Sequence, residues 1–223
     1  MKTELAFILD RSGSMESIRD AAIEGFNTFL RDQQAAPGDI RLSLVFFDTV
    51  VETRFDSIPV AEAIALNLDS YVPNGCTALL DAIGETIDRL GARFAALPAD
   101  SRPEHVTIAI LTDGEENSSQ RFTWKDIAKR IQHQTEKYSW EFLFLGAGAD
   151  AIATAAKMSI HAGNASNYVA DDAGQGAAMA SVSMKSIASR AKKFGYASQK
   201  QLEDADRPLQ EIVREEDQKR RKP

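Results

Sequence analysis

Apolar positions along the chain come in two alternating rhythms. Short, nearly continuous apolar runs at residues 5–9, 40–47, 106–111 and 140–145 read as strands buried on both faces. Between them the spacing changes to three and four. Ile18, Ala22, Phe26, Phe29 and Leu30 share one helical face, and so do Leu80, Ile83, Ile87, Leu90, Phe94 and Leu97. Ser17 with Asp20, and Thr123 with Asp126, place helix starts by capping-box spacing, and Pro37-Gly38 ends the first helix. Residues 50–55, after the tight turn Asp48-Thr49, predict an antiparallel return strand at an edge. Shorter patterns predict a helix over 60–68, a loop over 71–77, a small-residue helix over 150–157, a weak strand over 166–170 and a last helix over 175–192.

Alternating strands and helices imply an α/β domain: a three-layer, Rossmann-like arrangement with a mainly parallel central sheet, one antiparallel edge strand and helices on both faces. Nothing in the pattern repeats or marks a second domain. The pattern places one domain over residues 1–195. Residues 196–223 differ, with seven Lys/Arg against seven Asp/Glu. This segment reads as a charged C-terminal tail, solvated and mobile or forming a short helix from Pro208 with Leu209, Ile212 and Val213 on one side.

Composition narrows the function. The net charge of −7 at pH 7 disfavours a dedicated nucleic-acid binder. The single cysteine, Cys76, rules out an internal disulfide and a cysteine-based zinc cluster within one chain. The first apolar run, about six residues, is too short for a signal segment or a membrane span. A cytoplasmic, reducing compartment and no membrane partner are therefore expected.

The chemistry gathers where strands end. In such sheets ligands bind at the carboxyl ends of strands, where the strand order reverses. The first strand stops at Asp10, followed by Ser12 and Ser14 at alternate positions; Thr77 precedes the long helix; the strand at 106–111 runs into Thr112-Asp113-Gly114. A hard divalent cation such as Mg²⁺ takes about six oxygens. Three neutral hydroxyls with two carboxylates held behind bound water would leave such an ion electron-poor and open to one more acidic ligand.

The stretches DRSGS, NGCTALLDAIG and ILTDGEEN together resemble the metal-ion-dependent adhesion site (MIDAS) of von Willebrand factor A (VWA) domains. The resemblance covers roughly residues 2–192, and its signal-free layout is similar to stand-alone bacterial or phage VWA proteins. It implies a metal site of Asp10, Ser12, Ser14, Thr77 and Asp113, with Mg²⁺ as the cofactor and Mn²⁺ or Ca²⁺ as substitutes. It also implies a non-catalytic adaptor that coordinates an Asp or Glu of a partner protein, such as an AAA+ ATPase, kinase or phosphatase of a stress-response cluster. Gly13 and Gly75 would allow tight turns, and Glu115, Glu116 and Asn117 would form the rim.

Blander readings stand beside these. Ser17 reads best as a cap, Thr77 as a ligand or an N-cap, and Asp81, Glu115 and Glu116 as surface residues, with Asp81 alternatively holding the Thr77 loop. Cys76 reads as a small packed side chain. Gly146-Ala147-Gly148 reads as close packing or a tight turn rather than a phosphate cradle. His105, His133 and His161 receive no function. Two other functions compete with the binding module. A Mg²⁺-dependent phosphatase-like hydrolase would need a second carboxylate two residues after Asp10, where Ser12 stands. A metal-free scaffold would need none of these side chains.

Overall fold

The computed structural model describes residues 1–148 and 150–222. Six strands form one sheet in the order β3-β2-β1-β4-β5-β6. They are β1 (Lys2–Asp10), β2 (Asp39–Phe47), β3 (Val51–Pro59), β4 (His105–Thr112), β5 (Glu141–Ala147) and β6 (Ala165–Tyr168). Only the β2–β3 pair is antiparallel. The chain therefore leaves β1 toward one edge and returns to its other side at β4. The reversal opens a crevice between the carboxyl ends of β1 and β4.

Period-two alternation along β1 supplies two cores. Leu5, Phe7 and Leu9 pack with α1 (Arg19–Ala35) and α5 (Asp172–Lys193). Ala6 and Ile8 pack with α2 (Leu79–Ala96) and α3 (Trp124–Tyr138). The short α4 (Ala151–Lys157) lies against β5, where a Cβ on Gly146 would stand 2.7 Å from Ala151 Cβ, so that glycine serves close packing. β3 runs past the expected residue 55 because Ser57 takes a positive φ of 54° at an irregularity in the pairing. There its hydroxyl donates to the buried Glu4 carboxylate at 2.7 Å.

Two local expectations give way. The Ser17 capping box does not form: a 3-10 turn, Gly13–Ile18, precedes α1, and the Ser17 hydroxyl donates to the Ser14 carbonyl instead. Residues 60–68 hold one 3-10 turn, Val60–Glu62, rather than a helix. The Asn27 side chain on α1 ties down the backbone of Leu66 through both N–H and C=O, which favours an extended path there. The box at Thr123 and Asp126 does form.

The C-terminal segment is not a solvated tail. It folds as α6 (Gln199–Asp206) and α7 (Leu209–Arg220), both packed on α5. The short helix from Pro208 is α7, with Leu209, Ile212 and Val213 buried on one side. Lys185 of α5 is 3% exposed, and its ammonium donates to the carbonyls of Ala205 and Arg207 at 2.8 and 2.5 Å. It thereby satisfies the open end of α6 with a cation, where the helix dipole favours one. Mixed charge hid this in the sequence because only three apolar side chains carry the docking.

His105 begins β4 on the α5 side, paired with Thr3. Burial pushes its pKa down to about 4, and the nearby positive charges of Arg190 and Lys193 push the same way. Its Nε2 lies 3.0 Å from Thr107 Oγ1, which also donates to Glu141 of β5. The folded state thus keeps His105 neutral while the unfolded chain protonates near pH 6.5. This contribution is intact above about pH 6.5 and is lost as pH falls toward 4, to a limit of about 3 kcal/mol. Thermal melts across that range should show a shallower acid loss for His105→Gln than for the wild-type protein; parallel curves would contradict this.

Candidate metal centre

The crevice between β1 and β4 is lined by oxygen atoms held from several sides. Asp10 ends β1 and is fully buried. Its Oδ1 accepts the Ser12 backbone N–H at 2.7 Å, and its Oδ2 accepts the Thr112 hydroxyl at 2.5 Å. Thr112 Oγ1 in turn accepts the Gly114 N–H at 3.1 Å. The Tyr71 hydroxyl donates to the Asp10 carbonyl. Ser12 is extended, and the 3-10 turn starting at Gly13 then lifts Ser14 onto the same side. Their hydroxyls lie 3.2 Å apart, and Ser14 Oγ donates to Asp113 Oδ1 at 2.8 Å.

Thr77 enters from the loop before α2. The Gly13 N–H donates to the Gly75 carbonyl at 3.1 Å, which joins this loop to the first one. Gly75 has a φ of 69°, and a Cβ there would come within 2.5 Å of Thr49 Oγ1, so glycine is required. Thr77 does not cap α2, whose N-cap is Ala78. Its backbone pairs reciprocally with Asn117: Thr77 N–H donates to Asn117 Oδ1 at 2.9 Å, and Asn117 N–H donates to the Thr77 carbonyl at 3.1 Å. A Cβ on Gly114 would stand 3.0 Å from Thr77 Oγ1 and 3.7 Å from Ser14 Oγ. Glycine there keeps the space between the two hydroxyls clear. All five residues expected in the site, Asp10, Ser12, Ser14, Thr77 and Asp113, border this one crevice.

The electrostatics are unbalanced. Burial is the largest influence on Asp10 and raises its carboxyl to about 6, against hydrogen bonds from Ser12 and Thr112 that lower it. Burial also raises Asp113, against the Ser14 hydroxyl bond. The guanidinium of Arg11, next to Asp10 in the chain, is committed elsewhere, to Asp48 at 2.8 Å and Glu52 at 2.7 Å. Among the described residues no cationic side chain forms an ion pair with Asp10 or Asp113. Two carboxylates and three hydroxyls around a cleared space form a set of hard oxygen donors lacking positive charge, which fits a divalent cation. Among the described residues no three His, Cys, Asp or Glu side chains group to hold a metal; the donor set is hydroxyl-rich instead.

Sequence reasoning missed the supporting residues. Thr112, Tyr71 and Gly114 act by contacts only the fold reveals, although Thr112 and Gly114 lie inside the quoted TDG. Asp81 is neither a surface residue nor a brace for the Thr77 loop. It is 8% exposed, and its carboxylate accepts the backbone N–H groups of Gln120, Arg121 and Phe122 at 2.9–3.0 Å, holding the loop that follows Asp113. Glu116 braces the same loop through the N–H groups of Leu80, Ser118 and Ser119. Glu115 is exposed, and so is Cys76, which is not packed.

No family model matches the sequence, and no curated protein does. Solved structures do match. A von Willebrand factor type A protein from Catenulispora acidiphila aligns over 84% of this chain and 43% of its own, at 18% identity and a TM-score of 0.53. Proximal thread matrix protein 1 from the mussel byssus, solved with a zinc-occupied MIDAS motif, aligns over 81% and 44%, at 15% identity and a TM-score of 0.55. The PilB minor pilin of Streptococcus sanguinis aligns over 89% and 64%, at 13% identity and a TM-score of 0.54. The chain thus spans less than two thirds of each of these proteins. Among the described residues no helix is long and apolar enough to cross a membrane. With its sheet order, its one antiparallel pair and its helices on both faces, the chain has the fold of the von Willebrand factor A domain.

Proposed function

We propose that the chain is a non-catalytic, metal-dependent protein-binding module. The observation that carries this is the cluster of two uncompensated carboxylates and three hydroxyls at the β1/β4 crevice. Ser12, Ser14 and Thr77 would hold the ion through neutral oxygens, with Asp10 and Asp113 supplying charge from behind. Mg²⁺ suits such hard oxygens, and the zinc held by the mussel protein of the same fold supports a divalent ion. A bound cation with so little negative charge in direct contact supplies affinity for a carboxylate. An exposed Asp or Glu on a partner protein is therefore the ligand. Of the partner classes implied by the resemblance (AAA+ ATPases, kinases and phosphatases of stress-response clusters), the site selects only for that carboxylate. Its local charge dominates the global −7 at such short range. A hydrolase reading has less support, because position 12 offers a hydroxyl where a second carboxylate is needed and the Asp10 carboxylate is fully buried.

The test is capture from native lysate on the tagged chain, in Mg²⁺ and in EDTA, with Ser14→Ala beside the wild-type protein. A partner held only by wild type in Mg²⁺ supports the proposal. A partner held equally in EDTA and by Ser14→Ala would move recognition elsewhere.

Asp81 gives a second test. Asparagine at 81 presents an amide N–H toward backbone donors and loosens the loop behind Asp113. Supporting residues of metal ligands typically contribute about 10- to 100-fold in affinity, so Asp81→Asn should weaken Mg²⁺ or Mn²⁺ binding by about 10-fold. Titration calorimetry measures this directly, and an unchanged constant would mean that the loop does not position Asp113.

A further inference from the structure

A groove of about 620 Å³ lies between α7 and the loop joining β6 to α5. It is within the size range, roughly 300–1,000 Å³, of sites that enclose a large side chain or small ligand. Tyr168 and Val213 line it as buried residues, and Val169 stands 55% exposed at its edge. Gln210, Arg214 and Asp217 of α7 give it a polar side. The Asp217 carboxylate is taken up by Arg221, which also pairs with Asp171. Arg214 is exposed and forms no ion pair among the described residues, so its guanidinium is open to an acidic group of a ligand.

One groove residue reaches the strand end that carries the metal centre. The Tyr168 hydroxyl donates to the carbonyl of Thr112 at 3.2 Å, one residue before Asp113. Thr112 pairs with Gly146, and Gly146 with Asn167, across neighbouring strands. Two strand spacings, about 10 Å, therefore separate Thr112, beside the crevice, from Asn167, at the edge of the groove. An extended peptide rises about 3.3 Å per residue and covers that distance in three or four residues.

We propose that the groove is the second half of the partner footprint: it takes a large apolar side chain, followed by an acidic residue on Arg214, from the same extended segment whose Asp or Glu reaches the metal. The occupant is an acidic-apolar peptide segment of the partner protein, with its acid and its apolar anchor three or four positions apart. This rests on the metal-dependent reading above. It gives the C-terminal helix a role in recognition as well as in packing.

The experiment selects a random displayed-peptide library on the full chain in Mg²⁺, then measures one synthetic consensus peptide by fluorescence anisotropy. The expected consensus is an Asp or Glu, a Phe, Leu or Trp three or four positions away, and a neighbouring acid. Arg214→Glu and Val169→Asp, both at exposed positions, should each weaken that peptide about 10-fold without lowering the melting temperature, and EDTA should abolish binding. Mg²⁺-dependent peptides with no apolar anchor and no sensitivity to either substitution would overturn the groove and leave the metal reading standing. Anchor-bearing peptides that bind equally in EDTA, yet are sensitive to Arg214→Glu, would keep the groove as a peptide site and overturn the shared footprint and the metal reading. A library giving no binder to the wild-type chain would overturn both.

Discussion

Replacing Asp10 with asparagine is expected to raise the melting temperature of the metal-free protein and to abolish its stabilisation by Mg²⁺. Asp10 carries a fully buried carboxylate without a cationic partner. Asparagine fills nearly the same volume. Its Oδ1 can still accept the Ser12 N–H, and its amide N–H can donate to Thr112 Oγ1, whose own hydrogen then turns to the Gly114 carbonyl 3.0 Å away. Every bond is kept while a buried charge is removed. The gain is on the order of 2 kcal/mol, or about 4–8 °C for a chain of this size. Wild type behaves in the opposite way. At a metal concentration 100 times its dissociation constant, binding stabilises by about 2.7 kcal/mol, or roughly 5–10 °C. Thermal melts of both proteins with and without Mg²⁺ decide the matter. A wild-type chain indifferent to Mg²⁺, Mn²⁺ and Ca²⁺ would reduce the crevice to a structural turn.

Truncation after Gly195 is expected to unfold the chain rather than trim it. It removes Leu209 and Val213 from the core that also holds Phe7, Phe26 and Phe29, and with them the buried Ile212. Burial of three such side chains contributes about 5–8 kcal/mol, comparable to the whole stability of an ordinary domain. The cut also strips Lys185 of its two carbonyl partners and uncovers the face of α5 that carries it. Leu209→Ala, a milder change, should cost about 2–5 kcal/mol. Circular dichroism of the truncated chain checks the first statement, and a denaturant titration of Leu209→Ala the second. A truncated chain that melts like the full one would show α6 and α7 to be accessory.

Much of this was legible in the sequence because the relevant signals are local. Continuous apolar runs gave β1, β2, β4 and β5. The turn at Asp48 gave the antiparallel β3. Three short motifs gave five residues that the fold gathers at one crevice. What was not legible depends on contacts between distant segments. Ser17 had the spacing of a cap, but the loop at Gly75 pulls Gly13 into a 3-10 turn that starts too early for it. Residues 60–68 had helix-like spacing, yet the Asn27 side chain claims their backbone. Asp81 looked like an exposed helical acid until the loop at 120–122 folded over it. The charge of the C-terminal segment suggested solvation, and only the shape of α5 shows where its three apolar residues go.

The most direct test of the central claim is an anomalous difference map, collected near the manganese edge, from crystals grown with Mn²⁺. The account predicts one strong peak in the space kept clear by Gly114, ringed by Ser12, Ser14, Thr77 and Asp113, and its loss in crystals of Asp10→Asn. A well-ordered crevice with no peak, or a peak bound elsewhere while the crevice holds only water, would contradict it.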